Sequence, residues 1–234
     1  MTGIQSLTPH MLSQWLRHEI LANNLANAST PGFKRDDIAA GPATPSIDLA
    51  AAGTRAMMQW TDFGQGPVHS TGRTLDVALN GSGFLVVDTP NGPRYSRGGA
   101  LTITRDGTLA TADGYPVLGD RGPLVVGTGR INIAPGGEIT TDAGPVGTLR
   151  VVDFAKPYPL VKEGRGLFAA ADPSVNPAPA TGHEVVGGAL EGANVNVVET
   201  MVGMIELLRS YEAAQKAIQS LDETNRQAND MGKV

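Results

Sequence analysis

Few side chains in this 234-residue sequence are spaced for chemistry. The four histidines, His10, His18, His69 and His183, stand apart, and none falls in a metal-ligand spacing such as H-E-x-x-H. His10 and His18 lie in an amphipathic segment, where exposed or interfacial positions account for them. Ser82 sits in Gly81-Ser82-Gly83, which lacks the full G-x-S-x-G of a nucleophile elbow. Gly127-Thr128-Gly129 is not followed by a phosphate-binding helix, so it predicts no cofactor cradle. Asp106 and Asp113 each precede a glycine, and turn chemistry explains both before a catalytic carboxylate pair does. Met201 and Met204 suit core positions better than a cofactor box. With no cysteine, disulfides, thiolate catalysis and Cys-ligated zinc are excluded. The expectation is a protein that is not an enzyme and that takes no cofactor or metal.

Composition narrows the partners. Hydrophobic residues make up 41% and aromatics only 5%, while 30 glycines and 16 prolines point to short strands joined by tight turns. The net charge is −5, from 18 basic and 23 acidic side chains, with no Lys or Arg run to bind nucleic acid. No polybasic amphipathic segment suggests a membrane surface, and the apolar runs are too short to insert in a bilayer. Met1-Thr2-Gly3-Ile4-Gln5 has neither the basic nor the apolar region of a secretory signal. That leaves the cytoplasm, or export by a machine that cleaves no signal.

The elements follow from periodicity. Ile4, Leu7, Met11, Gln14, His18, Leu21, Leu25 and Ala28 recur at steps of three and four, a narrow stripe close to the coiled-coil repeat. With Thr8 as cap and Pro9 in the first turn, the spacing predicts a helix from about Thr8 to Asn27. Ser29-Thr30-Pro31-Gly32 breaks it. Residues 36–70 hold no lasting period and read as a long loop or extended arm. From Thr71 the pattern is that of strands, with Leu75, Val77 and Leu79 alternating and Phe84–Val87 as a short apolar run. Further candidates are 94–96, 100–104, 108–111, 116–118, 124–126, 130–133, 138–141, 148–153 and 167–170. The turns Asn91-Gly92, Asp106-Gly107, Asp113-Gly114 and Pro135-Gly136 separate them. Asn196, with Glu199 three residues on, then caps a helix over about Val197–Asn229, on the order of 50 Å long. Its stripe is Val197, Met201, Met204, Leu208, Tyr211, Ala214, Ile218 and Leu221.

The predicted fold class is α+β. Paired, coiled-coil-like N- and C-terminal helices carry an inserted all-β domain of sandwich or barrel type. The expected division is 1–35 (N-terminal helix and turn), 36–70 (linker or arm), 71–186 (β-rich domain) and 187–234 (C-terminal helix). Trp15, Leu16 and Ile20, with Val198, Val202 and Ile205, fall off the main stripes. Two helices cannot bury both sides, so the surplus apolar face predicts helices from other subunits.

One stretch is distinctive. Ala22-Asn23-Asn24-Leu25-Ala26-Asn27-Ala28-Ser29-Thr30-Pro31-Gly32-Phe33-Lys34-Arg35 resembles the N-terminal signature of the flagellar basal-body rod and hook protein family. Arg73–Leu79, Gly83–Val87 and Tyr95–Arg97 resemble the start of that family's β domain. Gly192-Ala193-Asn194-Val195-Asn196-Val197, followed by Met201, Met204-Ile205, Arg209 and Tyr211-Glu212-Ala213, resembles its C-terminal helix motif. The resemblance spans nearly the whole chain. The modest length, the single β insertion and the ending Asp222–Arg226 point within the family to a proximal rod subunit, with a distal rod subunit as the alternative.

The resemblance implies a structural subunit of the periplasmic drive shaft, exported unfolded through the flagellar type III apparatus and packed against other rod proteins. The expected assembly interface comprises Leu21, Asn23, Asn24, Leu25, Asn27, Phe33, Asn194, Val197, Met201, Met204, Ile205, Leu208, Tyr211 and Ile218. In it, the amides of Asn23, Asn24 and Asn27 fix register as a buried Asn does in a coiled coil. Phe33 anchors the chain in an apolar groove. The reading from another class is a stand-alone carbohydrate-binding or carbohydrate-processing β protein, which the low aromatic content opposes.

Overall fold

The computed structural model describes residues 2–40, 57–127 and 129–231. They fall into two units, the first made of Met1–Ala26, Arg35–Asp62 and Val195–Val234, the second of Asn27–Lys34 and Phe63–Asn194. The fold is α+β, with two helices and many antiparallel strands among the described residues.

In the first unit, α1 spans Thr2–Ala26 and α2 spans Val197–Met231. α1 thus begins six residues before the expected Thr8 and runs through Pro9. A proline removes the hydrogen bond to the carbonyl four residues back, here Gln5, and α1 continues through it nonetheless, with Pro9 as its eighth residue. α2 begins where expected, because the Asn196 side-chain oxygen accepts a hydrogen bond from the Glu199 N–H at 3.3 Å. Glu199 also places a negative charge on the first turn, where the helix dipole favours it.

Also in this unit, β1 (Asp36–Ala40) pairs antiparallel with β2 (Met57–Thr61), with Asp36 opposite Thr61 and Ala40 opposite Met57. The expected loop or arm therefore carries strands near both ends of this stretch, while residues 41–56 lie outside the described residues. Asp-Asp-Ile-Ala-Ala has no alternation to reveal a strand. Polar contacts close the pair instead: the Thr61 hydroxyl donates to Asp36 Oδ1 at 2.7 Å, and Arg35 Nε to Asp62 Oδ2 at 3.1 Å.

The second unit is β-rich. Its strands are β3 (Val68–Ser70), β4 (Val77–Asn80), β5 (Phe84–Thr89), β6 (Gly92–Ser96), β7 (Leu101–Ile103), β8 (Leu109–Thr111), β9 (Leu118–Gly119) and β10 (Gly122–Pro123). They continue as β11 (Ile131–Ile133), β12 (Glu138–Thr141), β13 (Gly144–Thr148), β14 (Val151–Asp153), β15 (Leu160–Gly164), β16 (Leu167–Ala170), β17 (Ala178–Pro179), β18 (Glu184–Gly187) and β19 (Ala189–Glu191). The largest sheet has six strands in the order β15-β16-β6-β5-β14-β17. β18 returns to pair with β4, and β19 with β3, so the end of the unit closes on its beginning. Two expected strands reduce to single bridges or fragments. Val125 bridges Thr108 alone, and the 148–153 run breaks at Leu149-Arg150 between β13 and β14.

β5 is buried on both faces, which is why Phe84-Leu85-Val86-Val87 is a continuous apolar run rather than an alternation. Phe84 and Val86 enter one core and Leu85 another. Val151 and Val152 divide in the same way on β14. The first core is aliphatic, built on residues such as Leu79, Leu101, Leu109, Val117 and Ile139. The second gathers Phe63, Phe84, Tyr95, Phe154, Tyr158 and Phe168 in mostly edge-to-face contacts, with Phe63 and Tyr158 centroids 5.1 Å apart. Burial there pushes the Tyr95 phenol above its usual value, while the charges of Arg150 and Arg94 pull it back.

Candidate functional site

After Ala26 the chain turns. The Asn27 carbonyl accepts from the Thr30 N–H at 3.0 Å, and the Thr30 carbonyl from the Phe33 N–H at 3.2 Å. Gly32 takes φ +69°, and a Cβ there would lie 2.3 Å from the Arg97 carbonyl carbon, so no other residue fits. Its N–H donates to the Glu191 carbonyl at 2.7 Å. Phe33 is buried, with the Lys162 ammonium 4.3 Å from its ring centroid. Its carbonyl accepts from the Asn194 N–H at 3.3 Å.

Lys34 follows, and its side chain is wholly buried. Its ammonium donates to Glu191 Oε1 at 2.5 Å and to the Gly64 carbonyl at 2.7 Å. Glu191 is equally buried and also accepts from the Gly66 N–H at 2.9 Å and from Arg97 NH1 at 3.1 Å. Arg97 donates onward to the Leu79 and Gly81 carbonyls, and its guanidinium carbon stands 5.5 Å from the centre of the Phe84 ring. None of these three was among the expected site residues. The sequence signals were that Lys34 and Arg97 fall within the segments that resemble the family and that Glu191 stands just before Gly192-Ala193-Asn194.

In the first unit, Asn24 is buried and engages Asp36 twice. Its amide donates to the Asp36 carbonyl at 2.7 Å and accepts from the Asp36 N–H at 2.9 Å. The two-point contact mimics a strand ladder and ties the last turn of α1 to β1. Asn23 is exposed. Asn27 and Asn194 belong to the second unit, where the Thr30 hydroxyl reaches Asn27 Oδ1 at 3.3 Å and the Asn194 amide reaches the Gly64 carbonyl at 3.2 Å.

The helices bury faces one residue away from the expected stripes. On α1 the buried positions are Ile20 and Asn24, with Leu21 and Leu25 half-buried. On α2 they are Thr200 and Leu207, and a Cβ added to Gly203 would meet Leu21 at 3.6 Å. Small or short residues allow that approach. The larger apolar residues of α2 are left outside: Val197, Val198, Met201, Val202, Ile205, Leu208 and Tyr211 are all exposed, Ile205 by 52%. Met204 and Ile218 are half-buried. Trp15 on α1, 62% exposed, and Trp60 on β2 add to this apolar surface of the unit.

Asp172, at the start of the Pro- and Ala-rich loop, is held below the usual carboxylate range by the Ser174 N–H, which donates to it at 2.8 Å. That is a turn contact. Among the described residues no cluster of three or more His, Asp or Glu could hold a metal ion, and no helix is long and apolar enough to cross a membrane.

Comparison with known proteins covers most of the chain. Residues 14–34 match a family model described as flagella basal body rod protein, and residues 78–145 one described as flagellar hook protein FlgE/F/G D1 domain. Residues 186–231 match the model for the flagellar basal body rod FlgEFG protein C-terminal. The sequence is 36% identical to the flagellar basal-body rod protein FlgF of Salmonella typhimurium, over 94% of each chain. It is 32% identical to FlgF of Caulobacter vibrioides over 92% of each chain. A flagellar basal-body rod protein FlgG, from Buchnera aphidicola, is 30% identical over 90% of this chain and 92% of its own.

Proposed function

This chain belongs to the flagellar basal-body rod protein family and is a structural subunit of the rod, and on that premise we propose that it polymerises through its terminal helices. The exposed apolar row of α2 is the single observation that carries this reading. Seven large apolar side chains on one helix, with Trp15 and Trp60 also exposed in the same unit, present apolar area that a monomer in water does not keep uncovered. Helices of neighbouring rod subunits cover it, in coiled-coil-like packing with α1 and α2 side by side. Leu21, Leu25, Val197, Met201, Met204, Ile205, Leu208, Tyr211 and Ile218 make that contact, with Asn23 at its polar edge. Asn24, Asn27, Phe33 and Asn194 shape the chain at the helix ends.

The reading extends to organisation and route. Residues 1–35 and 187–234 are the assembling ends, 36–70 an arm, and 71–186 an outward-facing domain of the periplasmic rod. The chain reaches that place through the flagellar type III export apparatus, a route that a cysteine-free sequence suits. It occupies the proximal rod, a placement supported by the 36% identity to the FlgF protein of Salmonella typhimurium, against 30% to a FlgG of Buchnera aphidicola.

The lack of native cysteine gives a clean test. With Ile205→Cys as the sole thiol, maleimide labels the dilute chain and fails to label it in isolated basal bodies. Equal labelling in both states would leave α2 uncovered in the rod and end this reading.

A further inference from the structure

Three charged side chains are hidden together in the β-rich unit. Lys34 and Glu191 expose no side-chain surface, and Arg97 only 4%. Burying ions is unfavourable unless each is paired and its remaining hydrogen-bonding capacity is met. Here that condition is largely satisfied. The Glu191 carboxylate receives donors from Lys34, Gly66 and Arg97, and the two cations also donate to the carbonyls of Gly64, Leu79 and Gly81, with only the Arg97 Nε left unmatched within the cluster. An apolar trio would fill the space as well, but it would not require one arrangement. Directional donors and a two-oxygen acceptor do.

The arrangement joins two particular places. Lys34 ends the turn that follows α1, and Glu191 ends β19, shortly before α2. The backbone laces the same two segments, through Gly32 N–H to Glu191 and Asn194 N–H to Phe33. All of these groups lie within the second unit. We infer that Lys34, Glu191 and Arg97 form a clasp that closes when the β-rich unit folds, without any subunit contact. It holds against each other the two segments from which the helices continue. The three are positioning residues: buried themselves, they meet no neighbour, but they set the starting points of the parts that do. The clasp is a property of the dilute single chain, so it stands or falls separately from the assembly reading.

The test is hydrogen exchange read by mass spectrometry on the dilute full-length chain. In the wild type, peptides covering 29–34, 63–67 and 189–194 are protected to the level of β5. Lys34→Met then speeds exchange in those three peptides by about 100-fold, with a smaller change in the β5–β6 hairpin. Unprotected 29–34 in the wild type would overturn the clasp, as would a Lys34→Met chain whose three peptides exchange like the wild type. If Lys34→Met unfolds the whole unit, the wild-type pattern decides alone.

Discussion

The ammonium of Lys34 stands 2.5 Å from the carboxylate of Glu191, 157 residues away in sequence, and neither side chain reaches solvent. The pair ties the turn after the first helix to the last strand of the β-rich unit. Its contribution to net stability against an apolar replacement is small, but removing one member leaves the others charged and unmatched.

Glu191→Ala is therefore expected to destabilise the β-rich unit by about 3–5 kcal/mol, because Lys34 and Arg97 lose their shared acceptor. The shift in the urea midpoint, at unchanged slope, measures it.

Two glycines should respond very differently to alanine. A Cβ at Gly99 would lie 1.6 Å from the Val77 carbonyl oxygen, so the strand must move, and Gly99→Ala should cost about 3 kcal/mol or more. Gly114, at φ +86°, has nothing within 4 Å of the same atom. Gly114→Ala carries only the left-handed backbone penalty of about 1–2 kcal/mol. Thermal unfolding of the two variants side by side checks the order.

Asn24→Ala removes both hydrogen bonds to the Asp36 backbone and leaves that N–H and carbonyl unmatched. A loss of about 1–3 kcal/mol is expected. Amide exchange at Asp36 should rise in the variant, whereas exchange in β5, which lies in the other unit, should not.

Tyr95 supplies an alkaline signature. Burial raises its pKa above the ordinary tyrosine value, so the unfolded chain releases the phenolic proton first. The stability it contributes is complete below about pH 10 and is lost as pH rises through the folded value. Tyr95→Phe should flatten the fall in stability above about pH 10, measured by denaturant unfolding.

What could be read from sequence divides along physical lines. The breaker after α1, the cap at Asn196 and the strands with tight turns are local, and the structure places them close to where the residues predict. Pro9 misled because proline favours a first turn, whereas α1 carries it as its eighth residue. β18 and β19 were unread because Glu-Val-Val-Gly and Ala-Leu-Glu are short, glycine-flanked and specified by partners more than 100 residues earlier, such as Val68 opposite Glu191. The pairing of the buried ions was unreadable for the same reason: Lys34 and Arg97 fall in the family-like segments, but a Lys, an Arg and a Glu so far apart look like solvated surface until the fold brings them together. The helix stripes followed the largest apolar residues. The chain buries Thr200, Gly203 and Leu207 more deeply, leaving Met201, Ile205 and Leu208 exposed.

The central claim is that this exposed row builds the rod. Ile205→Asp, introduced in place of the native gene, tests it most directly. Because Ile205 is 52% exposed in the single chain, the variant should unfold at the wild-type temperature. The account predicts that it is nonetheless missing from isolated basal bodies and that the cells do not swim. Basal bodies holding the variant at the wild-type level, in swimming cells, would contradict it.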